Sequence, residues 1–193
     1  MSSNKVRQRL AIFASGSGTN AEAMMERFFE HPQIEVALVV TNKSHAGVIQ
    51  RAERFGVEWV LIERADFEDE EVVEAILEEY KIDWIVLAGW LLLIPEYLVK
   101  AYPNRIVNIH PALLPKFGGK GMYGARVHKA VAEAGEQYSG ITIHYVNERF
   151  DEGKIIAQHA VTVANDDAAQ IERKVRELEL KHYPVEVEKL VLS

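Results

Sequence analysis

Arg105-Ile106-Val107-Asn108-Ile109-His110-Pro111, running on into Leu113-Leu114-Pro115, decides how the rest of the chain is read. The run is β-rich up to His110, and the prolines mark the next residues as a loop. An earlier apolar run, Trp84-Ile85-Val86-Leu87, reads as a companion strand. Residues two apart in an extended segment point the same way. Asn108 and His110 are therefore expected to project together from the end of a buried strand. That pairs an amide donor with a proton-transfer group. Acyl or formyl transfer needs both: a donor for the developing oxyanion and an acid/base near neutral pKa.

Outward from this stretch, strand-like and helix-like segments alternate. The pattern predicts an α/β fold, a mostly parallel sheet with helices on both faces. Strands are expected at 6–14, 34–41, 58–62, 83–87, 105–110, 140–146 and 155–163. Helices are expected at 21–30, 46–55, 67–80, 95–101 and 127–134, and from about 167 onward, with a bend or break near Pro184. Asp66 reads as the N-cap of the third helix, with Glu68, Asp69, Glu70 and Glu71 in its first turn, where carboxylates complement the helix dipole. The strand at 140–146 reads as amphipathic, with Ile141, Ile143 and Tyr145 alternating against Thr142 and His144 on a polar face.

The 193 residues suit one sizeable domain, and no composition shift or repeat marks a second. A hydrophobic fraction of 48% and a charged fraction of 26% are ordinary for a globular chain. No apolar run approaches a membrane span, and residues 1–5 are polar and read as a frayed terminus of a cytoplasmic protein. The absence of cysteine removes disulfides, thiolate metal sites and a Cys nucleophile. The net charge of −7 argues against a large nucleic-acid footprint.

Three constellations carry chemistry. Gly16-Ser17-Gly18-Thr19-Asn20-Ala21 comes after the first strand and formally fits a dinucleotide fingerprint. A glycine turn opening a helix offers free N–H groups to a phosphate, although it also serves as a plain tight turn. The second strand ends in Thr41-Asn42-Lys43-Ser44, without the carboxylate a NAD site would want, so a phosphate monoester is the favoured ligand. The second constellation is Asn108-x-His110. The third is Asp151-x-Gly153-x-x-x-x-Gln158. Its aspartate is ordinary turn chemistry or, paired with His110, the group that orients an imidazole and stabilises its protonated form. His144 is a supporting candidate, close in sequence to Asp151. His31, His45, His128, His159 and His182 show no metal-ligand spacing, and no metal is expected. Arg176 and Glu179 lie three apart on the last helix, where a solvent ion pair is the simplest reading.

Taken together, these motifs resemble a known family. Gly16 to Asn20, Leu87-Ala88-Gly89-Trp90, Asn108 to Phe117, Ser139 to His144 and Asp151 to Gln158 are similar, in order and spacing, to the phosphoribosylglycinamide formyltransferases of purine biosynthesis, from about residue 8 to 190. The resemblance implies a Rossmann-like formyltransferase fold with an antiparallel C-terminal strand portion, as a single domain over 1–193. It implies formyl transfer from 10-formyltetrahydrofolate to the amine of glycinamide ribonucleotide. Asn108, His110 and Asp151 then match the catalytic triad. Gly18, Thr19 and Asn20 match the phosphate turn, and Glu179 matches a glutamate that contacts the glycinamide substrate. The folate pocket matches Trp90, Leu91, Leu92, Leu93 and Ile94 on one wall and Asn147, Glu148, Arg149, Phe150 and Asp151 on the other. Its partners would be these small molecules, not nucleic acid or membrane, with a homodimer left open.

Three departures stand out. Leu92 occupies a position that is often arginine in the family. Glu70 aligns roughly with another arginine, at the start of the third helix. The segment from 116 to 128 is longer and richer in glycine than usual, and reads as a lid over the nucleotide or as surface slack. Two relatives share the Asn-x-His…Asp core. A formyltetrahydrofolate hydrolase would bring an N-terminal regulatory domain, and a methionyl-tRNA formyltransferase a C-terminal RNA-binding domain and a basic surface. Neither added domain is expected here, and the hydrolase stands as the alternative reading. An NADP-dependent reductase with Lys43 on the 2′-phosphate, and a non-catalytic nucleotide-binding module, both leave Asn108, His110 and Asp151 unexplained.

Overall fold

A computed structural model describes residues 7–193, so the frayed terminus expected at 1–5 lies outside the described residues. The strands are β1 (Gln8–Phe13), β2 (Ile34–Thr41), β3 (Trp59–Leu61), β4 (Trp84–Leu87), β5 (Ile106–His110), β6 (Tyr138–Tyr145) and β7 (Ile155–Thr162). They form one sheet in the order β3-β2-β1-β4-β5-β6-β7. The pairs from β3 to β5 are parallel, and β6 and β7 run antiparallel. The expected architecture is therefore present, including its antiparallel C-terminal part.

The helices are α1 (Thr19–Phe28), α2 (Gly47–Phe55), α3 (Arg64–Phe67), α4 (Glu70–Glu79), α5 (Glu96–Ala101), α6 (Ala125–Glu133) and α7 (Ala168–Val191). β1 and β4 are buried on both faces, so they read as apolar runs rather than as alternation. On one face Leu10, Ile12, Val86, Val107, Ile109 and Ile143 pack under α1, α2, α6 and α7. On the other, Phe13, Leu38, Ile85, Ile106 and Trp90 pack under α4 and α5. Direction reverses between β1 and β4: β2 and β3 lie on one side, β5 on the other. Open α/β sheets bind ligands at such a switch point, beyond the strands' C-terminal ends.

Three expectations need correction. The helix read over 67–80 is two helices, and its N-cap is Asp69, not Asp66: the Asp69 carboxylate accepts from the Glu71 N–H at 3.1 Å. Phe67 is drawn into the core, and the chain must turn before α4 can start. α7 runs unbroken through Pro184, anchored by an Asp167–Gln170 capping box. Proline leaves the Leu180 carbonyl without its helical donor, and Leu180 sits on the exposed side, where water can serve instead. Finally, Thr142 and His144 are not on a solvated face. Both are buried, because the loop after β5 and the 146–151 segment cover that side of β6.

Candidate active site

β5 delivers Asn108 and His110 from one side of the sheet, as the two-residue period requires, while Val107 and Ile109 face the opposite core. The antiparallel partner β6 sets His144 directly across from Asn108. Asn108 Nδ2 donates to His144 Nε2 at 3.1 Å. His144 Nδ1 donates to the Tyr145 carbonyl at 2.8 Å. A carbonyl only accepts, so His144 in its neutral form must hold its proton on Nδ1 and accept at Nε2. Asn108 is thereby tethered through one N–H and keeps the other for a ligand.

Asp151 reaches this cluster from the β6–β7 connection, in a left-handed conformation with φ 58°. Its Oδ2 lies 3.4 Å from His110 Nδ1, and its Oδ1 3.6 Å from His144 Nε2. The Gly119 N–H donates to Oδ2 at 2.9 Å, and His110 Nε2 donates to the Phe117 carbonyl at 2.8 Å. Burial pushes the His110 pKa down and outweighs the pull of Asp151 and the Phe117 carbonyl in the other direction. For Asp151, burial is the largest single influence and disfavours the carboxylate. The two imidazoles and the Gly119 N–H together overcome it and hold the pKa below its ordinary value. The arrangement is a neutral buried base beside a stabilised anion.

These groups line a cavity of about 820 Å³ that spans the sheet's C-terminal edge. At one end is the turn after β1. Gly18 caps α1 with φ 78°, and a Cβ there would lie 2.7 Å from Val48 on α2, so only glycine fits. The turn aims the N-terminus of α1, with Thr19 and Asn20, into the cavity. Asn20 Nδ2 donates to Glu179 Oε2 at 3.1 Å. The expected Arg176–Glu179 pair is not formed: Arg176 pairs with Glu172 at 2.9 Å, and Glu179 turns inward. Burial there raises the Glu179 pKa against the opposing effect of Asn20.

Trp90, Leu91, Leu92, Leu93 and Ile94 add an apolar stretch to the lining, and Asn147, Arg149, Phe150 and Asp151 line it too. Glu148, expected among them, does not line the cavity. Leu91 and Leu93 are 41% and 45% exposed, an apolar surface that a flat ring can cover. Trp90 packs edge-on against Phe13 and Phe67. Three residues before Phe67, Arg64 opens α3 and lines the cavity. Glu70 starts α4 and does not line the cavity, whereas Arg64, which starts α3, does. Its place just past the end of a parallel strand was a signal that could have found it. Lys43, Lys120, Arg126, Arg149 and Arg176 join it, so a chain of net charge −7 gathers cations around this one cavity.

Gln158 does not reach the cavity. It donates to the Leu114 carbonyl and the Thr142 hydroxyl, both at 2.9 Å. Thr142 in turn donates to the Ala112 carbonyl at 2.7 Å and accepts from the Leu114 N–H at 3.0 Å. This buried knot fixes the start of the loop after β5.

The formyl transferase family profile matches residues 8–187. The chain is similar to a chloroplastic phosphoribosylglycinamide formyltransferase of Arabidopsis thaliana, 46% identical over 185 residues and covering 92% of this chain. It spans about 63% of that relative's length. A phosphoribosylglycinamide formyltransferase of Bacillus subtilis is 38% identical over 190 residues, covering 95% of each chain. Among solved structures, glycinamide ribonucleotide transformylase 1 from Symbiobacterium toebii superimposes with a TM-score of 0.87 at 31% identity, covering 98% of this chain and 93% of that one.

Proposed function

The chain belongs to the formyl transferase family, and we propose that it moves a formyl group from 10-formyltetrahydrofolate to the amine of glycinamide ribonucleotide, a step of purine biosynthesis. The observation that carries this is the meeting of Asn108, His110, His144 and Asp151 on the wall of one cavity, between a phosphate-type turn and an apolar wall. The relatives' names supply the acceptor and the group transferred, and the apolar wall suits a folate as donor.

The phosphate sits on the N–H groups of Gly18, Thr19 and Asn20, with the α1 dipole behind them. Glu179, desolvated and bonded to Asn20, receives the polar glycinamide portion. The folate ring system covers Leu91 and Leu93, and Arg64 gives its carboxylates the cation that Leu92 cannot. The cavity volume suits two such ligands end to end.

The amine attacks the formyl carbon, a C–N bond forms, and the carbonyl electron pair moves onto oxygen. The free N–H of Asn108, and His110 once it has taken the proton of the attacking amine for passage to the folate nitrogen, stabilise that oxyanion. Asp151 favours the imidazolium as it forms. Collapse re-forms the carbonyl and breaks the bond to the folate nitrogen, which takes up the proton the amine has lost. No covalent enzyme intermediate is needed. In this reading the described residues form one formyltransferase domain of a cytoplasmic enzyme. Among those residues no helix is long and apolar enough to cross a membrane.

The test is a spectrophotometric formyl-transfer assay with 10-formyltetrahydrofolate, run with and without glycinamide ribonucleotide. Product that requires the ribonucleotide is expected. Product at the same rate without it would replace this reading with a hydrolase.

A further inference from the structure

We propose that Phe117 is a positioning residue whose left-handed backbone fixes which nitrogen of His110 handles the proton, a proposal that rests on the formyl-transfer reading. Phe117 has φ 57°, a conformation that a bulky L residue seldom adopts. That twist turns its carbonyl onto His110 Nε2 at 2.8 Å. Because a carbonyl cannot donate, Nε2 keeps its proton and Nδ1 becomes the nitrogen that titrates. Nδ1 is the atom that faces Asp151, at 3.4 Å.

Two residues on, Gly119, with φ 95°, donates its N–H to the same Asp151 oxygen at 2.9 Å. One tripeptide thus grips both members of the pair, an acceptor for the imidazole and a donor for the carboxylate. Between them, Gly118 has no slack: a Cβ there would run into Leu114 and lie 3.3 Å from the Asp151 Cβ. The Phe117 ring packs against the core and is not part of the cavity lining. Its influence on the chemistry therefore runs through its carbonyl. The opposite His110 tautomer would set an imidazole lone pair against that carbonyl, and the loop root excludes it.

The test compares Phe117→Asn with Phe117→Val. Both remove the ring, and the two side chains are similar in size. Asn accepts left-handed φ, whereas β-branched Val resists it. Phe117→Asn is expected to retain at least about tenfold more kcat than Phe117→Val, with the ribonucleotide KM alike in the two. Nitrogen-15 spectra of His110 should show the Nε2–H form in the wild-type protein and in Phe117→Asn, and mixed tautomers in Phe117→Val. Equal kcat in the two variants, or an Nδ1–H form in the wild-type protein, overturns the proposal. The wild-type spectrum needs no variant to fold. An Nε2–H spectrum in a protein inactive in the formyl-transfer assay would sink the reaction and leave the tautomer assignment standing.

Discussion

The turn after β1 and the loop after β5 leave the same edge of the sheet and line the same cavity, yet they are held by different physics. The turn is set by steric fit: Gly18 presses against Val48, and no side chain caps α1. Around it Arg51 donates to the Ser17 carbonyl at 2.7 Å and pairs with Glu22. The loop is set by main-chain hydrogen bonds to ionisable side chains, His110 and Asp151. A cradle built on fit keeps its shape when pH changes. A loop tied to a histidine and a carboxylate is coupled to their protonation, so its shape and the chemistry rise and fall together.

The largest effects should separate the two regions cleanly. His110→Ala or Asn108→Ala should lower kcat by about 10²–10³-fold with the ribonucleotide KM little changed, because each removes a group needed only as charge develops. Near-normal turnover in either variant would mean the loop side has been misassigned. Gly18→Ala should do the reverse, raising the ribonucleotide KM by about tenfold with kcat largely kept. A rise confined to the folate would place the two substrates the other way round.

Thr142→Val probes the loop's root. It leaves the Leu114 N–H without its acceptor and takes one acceptor from Gln158, so a loss of about 1–3 kcal/mol is expected from urea denaturation. An unchanged midpoint would show that the knot does not hold the loop. For Asp151→Asn, the observable is the His110 titration measured by NMR. Asp151 pulls the His110 pKa upward against burial, so losing its charge should lower that pKa further. A rise would break the assigned coupling. The same shifts give stability a definite sign with pH. His110 has a folded pKa below the ordinary 6.5, so its contribution is complete above that pH and is lost on acidification, as the unfolded chain takes up the proton first. Asp151, also lowered, adds a loss of the same sign at lower pH. The smallest effect belongs to Lys116→Ala. Its ion pair with Glu136 is exposed, so less than about 1 kcal/mol should go, with kcat unaffected. A larger cost would mean that side chains, rather than main chain, hold the loop.

What could be read from the sequence was what local periodicity encodes. Asn108 and His110 share a side because the strand period is two, and that reading needs no partner. The break between α3 and α4 was hidden because Asp66 and Asp69 are both suitable caps. The choice rests on the burial of Phe67, a tertiary fact. Helix spacing offered Arg176 to Glu179, but the side chain that bonds Glu179 is Asn20, far away in sequence. The grips of Phe117 and Gly119 use backbone atoms that every residue has, so no residue type announces them.

The strand order has a consequence for which acceptors the protein can use. β4 lies between β1 and β5, so the turn proposed to hold the anion and the proposed reactive end are two strand spacings apart, roughly 10 Å. That interval is made of interstrand hydrogen bonds and works as a fixed gauge. Replacing side chains can retune affinity at either end, but it cannot lengthen the gauge. An acceptor whose amine stands at another distance from its phosphate should be refused whatever residues line the way.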